Sequence, residues 1–409
     1  MKAKLPIFNK FKINKFDLVK LKWDKHVPII IVISIILVIG SFFSYYKISS
    51  LQDLVRTVTQ ERDKNLEELQ KIATELDELK NQDQIKKNQE LQETIKRIEL
   101  TYDKAVLVYD ELVELRTKSK NTKALEEDFA EALSKLADRD YSGANDILAS
   151  ITAQIAQEEQ KIAAAFTIPQ NVPANNSPPG SGYSRQTVNV EGLGSYMVSM
   201  VAADISSTRV IVDTAADSDC ANDCPVLPLS DYVSRNGAYA GINGSYFCPA
   251  DYASCAGKTN TYDLLVMNKN KTYFNSANNV YSNNPAVIFG DGYIRFVSAA
   301  SAWGRDTSPN GVLSNYPLLV SGGQVTFGGD DDPKKGSKGA RSFVANKGNT
   351  AYIGVVHSAT VAESARVMQA LGMENAMNLD DGGSTALWSG SYKVGPGRNL
   401  PNVILFVGK

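Results

Sequence analysis

Residues 360–385 read Thr360-Val361-Ala362-Glu363-Ser364-Ala365-Arg366-Val367-Met368-Gln369-Ala370-Leu371-Gly372-Met373-Glu374-Asn375-Ala376-Met377-Asn378-Leu379-Asp380-Asp381-Gly382-Gly383-Ser384-Thr385. Thr360 and Glu363 have the spacing of a capping box, which satisfies the free N–H groups of a first helical turn. Val367, Met368 and Leu371 supply one apolar face, and Gly372 stands at the C-terminal stop. Ala376-Met377 is strand-like, and alternation then puts Asn378 and Asp380 on one side with Leu379 toward a core. Gly382 and Gly383 permit a tight turn and close approach by another group. Asp-Gly between strands is itself a hairpin signal, so taken alone the segment reads equally as a plain turn.

Working outward, short β-branched or alternating runs recur across the C-terminal half. They include Tyr196 to Ala202, Ala286 to Phe289, Tyr352 to Val356 and Val403 to Val407, separated by Gly, Asn and Asp. The expected fold class is α+β: a mixed β-sheet domain with a few helices over 186–409. Residues 167–185, rich in Pro, Asn, Gly and Ser, read as a flexible linker. Before it, 47–166 reads as a coiled-coil and helical stalk. Leu51, Leu54, Val58, Leu66, Leu69, Ile72, Leu76 and Leu79 recur at spacings of three and four, and the seam resumes at Leu91 after a polar gap near Asp83 to Asn88. Leu125, Phe129, Leu133 and Leu136 mark one further helix, and Ile147, Ile151, Ile155 and Ile162 another. One such helix-turn-helix copy is too few for a solenoid. The stalk is expected to form a homo-oligomer or to fold back on itself.

The chain of 409 residues has a formal net charge of −2, which gives no global argument for a nucleic-acid partner. The first 26 residues nonetheless carry eight lysines against Asp17 and Asp24, and 27–46 contain no charge. Such a helix spans roughly 30 Å, a hydrocarbon core. Lysine excess before the span places 1–26 in the cytoplasm and the rest outside; at the inner leaflet the same lysines can also hold anionic lipid head groups. A cleaved signal peptide fits less well, because Phe42-Phe43-Ser44-Tyr45-Tyr46 is a poor cleavage site. A buried core helix of this length would show a polar stripe.

All four cysteines, Cys220, Cys224, Cys248 and Cys255, follow the anchor. An even set on the oxidising side reads as two disulfides with three possible pairings, the local pairs being favoured; the spacings suit a zinc site poorly. Beyond the anchor the one histidine is His357, and the C-terminal domain has three glutamates, Glu191, Glu363 and Glu374. Multi-histidine metal sites are therefore excluded, no Gly-x-Ser-x-Gly elbow or phosphate loop occurs, and no cofactor is expected. Carboxylate chemistry rests on aspartate.

Two further segments stand out. Gly241-Ile242-Asn243-Gly244-Ser245-Tyr246-Phe247 is a strand entering an Asn-Gly turn, and Gly339-Ala340-Arg341-Ser342-Phe343 places an isolated Arg at a strand entrance. Read singly, these are a hairpin and a surface ion pair. Together with Asn378-Leu379-Asp380-Asp381-Gly382-Gly383-Ser384, in this order and spacing, they resemble the phosphodiester glycosidase family, over roughly 186–409. The resemblance implies a hydrolase acting on a glycan or sugar-phosphate, with a site around Asn243, Arg341, Asp380 and Ser384. Two departures fall near it: Asp381 stands where family members usually have a first glycine, and Val356-His357-Ser358 replaces a Val-Asp-Gly stretch.

For cleavage between a sugar's anomeric carbon and a phosphate oxygen, the departing phosphate needs charge stabilisation, which the Arg341 guanidinium can give in bidentate fashion. Asp380 is the candidate to stabilise or attack the developing oxocarbenium, or to activate water, with Asp381 assisting. Asn243, Asn378 and Ser384, with the Gly382-Gly383 turn, are expected to contact substrate. His357 is a candidate proton shuttle, although a structural role fits it slightly better. Trp388, Tyr246 and Trp303 are available to stack on a sugar, though core packing is the commoner role. The rival readings are a non-catalytic carbohydrate-binding module on a stalk and a metal-dependent phosphodiesterase, which a chelator would expose.

Overall fold

The computed structural model describes residues 27–80, 83–275, 282–305 and 307–409. The lysine-rich segment 1–26 lies outside the described residues. The chain divides into two compact units, Met1–Glu93 and Thr94–Lys409. In the first, helix α1 (Val27–Lys80) begins with the apolar stretch and is long and apolar enough to cross a membrane. Leu51, Leu54, Val58, Leu66, Leu69, Ile72, Leu76 and Leu79 are all exposed on it, so no coiled-coil packing is formed within the chain there. Helix α2 (Asp83–Lys118) starts at the polar gap and carries it in its first turns.

The second unit opens with a helical bundle. Ala105, Val108, Leu112 and Leu115 of α2 pack against Leu125, Ala132 and Leu136 of α3 (Lys123–Ala137), and against Leu148, Ile151 and Ile155 of α4 (Tyr141–Ala165). Asp140 caps α4, its side chain accepting from Gly143 N. The segment expected as a flexible linker is tied down: Gln186 Nε2 donates to Asn175 O (2.6 Å), and Asn189 N to Asn176 Oδ1 (2.9 Å). Asparagine side chains here satisfy the outer groups of an edge strand, as they do in turns.

Three sheets follow. The seven-stranded sheet runs, in spatial order, Gly182–Val190, Gly194–Asp204, Thr350–Ala359, Gly339–Lys347, Asn375–Asn378, Leu318–Ser321 and Gln324–Val325. A five-stranded sheet runs Tyr392–Val394, Leu387–Ser389, Ala240–Asn243, Asn402–Gly408 and Thr208–Thr214. The other five-stranded sheet is built on Ala286–Gly290 and Gly311–Ser314. Among the described residues every strand pairing in these sheets is antiparallel, so the sheets are not mixed as expected. Short turns join several consecutive strands, and such turns reverse the chain, whereas a parallel pair needs a long crossover.

The main core lies between the sheets and joins Val201, Ile353 and Leu379 to Ile242, Phe406 and Leu313. Helix Val361–Ala370 covers the other face of the large sheet, its Val361, Ala365 and Met368 packing on Met200 and Phe343. Its expected capping box is formed: Thr360 Oγ1 accepts from Glu363 N (3.0 Å), and Glu363 Oε2 from Thr360 N (2.8 Å).

Candidate active site

The acidic turn sits where two sheets meet. Asn375–Asn378 pairs with the Arg341 strand, Asn378 opposite Phe343. Beyond the strand end Leu379 N donates to Ser342 O (2.9 Å) and Asp380 N to Gly244 O (2.9 Å). Asn243 Nδ2 donates to Asp380 O (2.6 Å), and its Oδ1 accepts from Ser342 Oγ (3.0 Å) and Ala386 N (3.1 Å). Asn243 is fully buried. Its amide clips the sheets together beneath the site, and no part of it is exposed for substrate.

Asp381 is held on three sides. Its Oδ1 accepts from Ser342 N (2.8 Å), and its Oδ2 from Asn378 Nδ2 (2.8 Å) and Arg341 Nη1 (3.2 Å). Arg341 also donates from Nε to Ala359 O (3.0 Å), and from Nη2 to Lys334 O (2.8 Å) and Ser337 O. A guanidinium has five N–H groups, and these contacts leave a single one on Nη1. Bidentate phosphate binding by Arg341 does not fit this arrangement. Arg341 instead fastens the 330–338 loop and Asp381 to the strand.

Asp380 is the freer carboxyl. Its Oδ1 accepts from Asp381 N (2.9 Å), and the side chain borders a cavity of about 970 Å³. Burial pushes its carboxyl up to about 7, with the Asp381 charge adding and the Ser384 hydroxyl and Arg398 opposing. Asp381 is raised too, by burial, against the pull of Arg341. Gly382, Arg341 and Arg398 share the cavity wall with Asp380, as does Tyr246, whose hydroxyl accepts from Asn378 Nδ2 (2.9 Å).

Across the cavity stands α2. Glu114 Oε1 accepts from Gly383 N (3.0 Å), and its Oε2 from Tyr252 OH (3.0 Å) and Arg398 Nη2 (3.3 Å). Burial would raise Glu114, but Lys118 and Arg398 outweigh it and hold the carboxyl below its usual range. One turn earlier Asp110 accepts from Ala253 N (2.7 Å) and Ser254 Oγ (2.5 Å). Sequence reasoning passed over Glu114, Tyr252 and Arg398. Glu114 read as stalk surface; the Gly395-Pro396-Gly397 run before Arg398 was the available sign of a loop that can approach another backbone.

Of the other expected residues, Asn378 and Ser384 are buried beside the turn. His357 is elsewhere: its Nε2 lies 3.0 Å from Ser199 Oγ, its ring stacks on Phe166, and it does not border the cavity. Burial, reinforced by Arg185, lowers it to about 4, so the ring is neutral. Trp303 and Trp388 are also absent from the cavity wall. The disulfides are Cys220–Cys224 and Cys248–Cys255, the second enclosing the loop that carries Tyr252. Among the described residues no group of three or more His, Cys, Asp or Glu side chains is placed to hold a metal ion.

Residues 236–407 match the family model described as phosphodiester glycosidase. No curated protein matches the chain. Among solved structures, the zebrafish N-acetylglucosamine-1-phosphodiester alpha-N-acetylglucosaminidase catalytic domain, auto-inhibited by its pro-peptide, is similar at 15% identity, with 59% of this chain and 87% of that chain covered and a TM-score of 0.44. A hypothetical protein from Synechocystis is 15% identical, with 56% of this chain and 62% of that one covered and a TM-score of 0.42. A protein described as exported from Burkholderia pseudomallei is 12% identical, covering 54% and 76%, with a TM-score of 0.35. The family model spans both the Asn243 and the Asp380 segments, and residues 236–407 are accordingly a phosphodiester glycosidase domain, a hydrolase by family.

Proposed function

We propose that the domain expected at 186–409 hydrolyses the bond between a sugar's anomeric carbon and a phosphate oxygen in an envelope or extracellular glycan. In this reading residues 27–46 tether it to a membrane, with 1–26 cytoplasmic, and the exposed seam of α1 associates with further copies of the chain as a coiled coil. The observation that carries the catalytic reading is Asp380: a carboxyl on the cavity wall, raised to about 7, beside the Arg398 guanidinium. A base with that affinity for a proton is matched to neutral pH.

The steps balance simply. Water adds to the anomeric carbon and its proton passes to ionised Asp380. The carbon–oxygen bond breaks, and its electron pair leaves with the phosphate. Arg398 and Lys334, both at the cavity, oppose the charge that develops on the leaving group. Asp381 and Arg341 act as positioning residues, fixing the turn from which Asp380 projects. Asn378 supports Asp381, and Ser384 stands beside Asp380.

The test is release of free reducing sugar from a panel of sugar-1-phosphodiesters by the full chain in detergent, with Asp380→Asn beside it. Release that Asp380→Asn abolishes, in a protein with an unchanged circular dichroism spectrum, is the expected result. Absence of release from every diester, with measurable glycan binding, would replace the hydrolase by a binding module.

A further inference from the structure

The contacts around Glu114 have the composition of an oxyanion site. A backbone N–H on a glycine turn, a phenol O–H and a guanidinium all point at one carboxylate: Gly383 N (3.0 Å), Tyr252 OH (3.0 Å) and Arg398 Nη2 (3.3 Å). A second cation is close, with Lys334 Nζ 4.9 Å from the Tyr252 ring centre and Arg398 packed over the same ring. Peptide N–H groups at a turn combined with Arg are the donor set that binds phosphoryl oxygens. The two glycines are shaped for it. A Cβ at Gly382 would overlap Glu114 Oε1, and one at Gly383 would fall 2.5 Å from Arg398 Nη2.

The position matters as much as the composition. The turn that offers Gly383 N begins directly after Asp380 and Asp381, and Arg398 acts electrostatically on Asp380 itself. A phosphoryl group held at these donors would place its ester oxygen beside the carboxyl that takes the proton from water. Yet Glu114 now holds the donors. A carboxylate and a phosphodiester each carry one negative charge, so exchanging them leaves the charge of the cradle unaltered. Lys118, 3.7 Å from Glu114 one turn along the same helix and also paired with Glu159 at 3.0 Å, is the cation toward which the displaced carboxylate can turn.

We propose that Gly383 N–H, Tyr252 OH and Arg398 form the subsite for the phosphoryl group of the substrate, and that Glu114 of α2 is its internal occupant, displaced when a phosphodiester binds. This rests on the glycosidase reading for the identity of the diester, but the anion subsite itself does not. The helical bundle thereby becomes part of the binding site, and a phosphoryl ligand must compete with the chain's own carboxylate.

The experiment is titration calorimetry of inorganic phosphate into the full chain in detergent, for the wild type, Glu114→Gln, Glu114→Ala and Arg398→Ala. Gln keeps the acceptor for Gly383 N and removes only the charge, so its fold is expected to stay intact; circular dichroism and thermal midpoints check each variant. Glu114→Gln should bind phosphate more tightly by about tenfold, within the range of typical coupling between competing groups, and Glu114→Ala at least as tightly. Arg398→Ala should remove binding in either background. Unchanged or weaker phosphate binding in both Glu114 variants would overturn the proposal and leave Glu114 a structural clamp. Tighter binding with no diester cleaved by any form would keep the subsite and defeat the glycosidase reading. Cleavage of diesters with phosphate affinity indifferent to Glu114 and Arg398 would do the reverse.

Discussion

Arg341 and Asp381 meet at 3.2 Å with side chains only 7% and 8% exposed, and neither retains the freedom to act on a substrate directly. The pair is a joint between the 330–338 loop and the acidic turn. Removing one partner strands the other charge in a buried setting, which typically costs about 3–5 kcal/mol. Arg341→Ala and Asp381→Ala are expected to lower stability to chemical denaturation by that order and to abolish sugar release together. Arg341→Lys should rescue neither, because an ammonium cannot reach Ala359 O, Lys334 O and Asp381 from one planar group.

The Asp380 carboxyl predicts a pH profile with a definite sign. As a proton acceptor it works when ionised, so the rate of sugar release should rise with pH through about 7 and level off above it. Stability should run the other way. The folded-state value lies above the unfolded one, so this group's contribution to stability is complete at low pH and is lost as pH rises toward 7. Asp380→Asn should therefore be inactive, yet melt above the wild type at pH 8 by on the order of 2 kcal/mol, with the gap closing near pH 4. Paired thermal scans at the two pH values measure this.

Gly382 has φ of +57°, a left-handed conformation that costs a residue with a Cβ about 1–2 kcal/mol. Gly382→Ala adds an overlap with Glu114 Oε1. The substitution is expected to destabilise the chain by more than the backbone cost alone, and to lose most of that excess in a Glu114→Ala background. A double-mutant cycle read by urea denaturation resolves the two contributions.

The two disulfides should differ in consequence. Cys248 and Cys255 both border the cavity and close the loop that presents Tyr252, whereas Cys220 and Cys224 do not border it. Replacing the first pair by alanine should raise KM for a diester severalfold, because the loop gains freedom before binding. Replacing the second pair should leave KM unchanged.

His357→Ala should leave kcat and its pH profile as they are, since the ring is neutral, stacked on Phe166 and away from the cavity. A profile that lost an inflection in this variant would return His357 to the reaction.

Local signals in the chain were readable, and long-range partnerships were not. The Thr360–Glu363 box, the strand after it and the buried Leu379 follow from spacing and alternation over a few residues. The segments bearing Asn243, Arg341 and Asp380 are adjacent in space, but the role of each depends on hydrogen-bond counting that spacing cannot supply. Arg341 proves to commit three of its N–H groups to main-chain carbonyls of a loop and a neighbouring strand and a fourth to Asp381. Glu114 lies in a run of Glu, Lys and Leu whose other acidic residues mostly face solvent, and nothing nearby in sequence distinguishes it. Arg398 was missed for a related reason: a single basic residue in a Gly-Pro loop has no period. The antiparallel pairing of the sheets likewise depended on which strands neighbour one another, information absent from a strand's own pattern.

The hydrogen bond from Gly383 N to Glu114 spans 269 positions of the chain. Synthesis proceeds from the N-terminus, so α2 leaves the ribosome complete while the residues that cradle its carboxylate are still untranslated. The bundle can close early, but the cavity comes into being only when Arg398 and the final strand, Asn402–Gly408, have arrived. A nascent chain that has not yet reached Arg398 therefore holds no finished site, and a substrate of this domain is safe from it until that residue has been made.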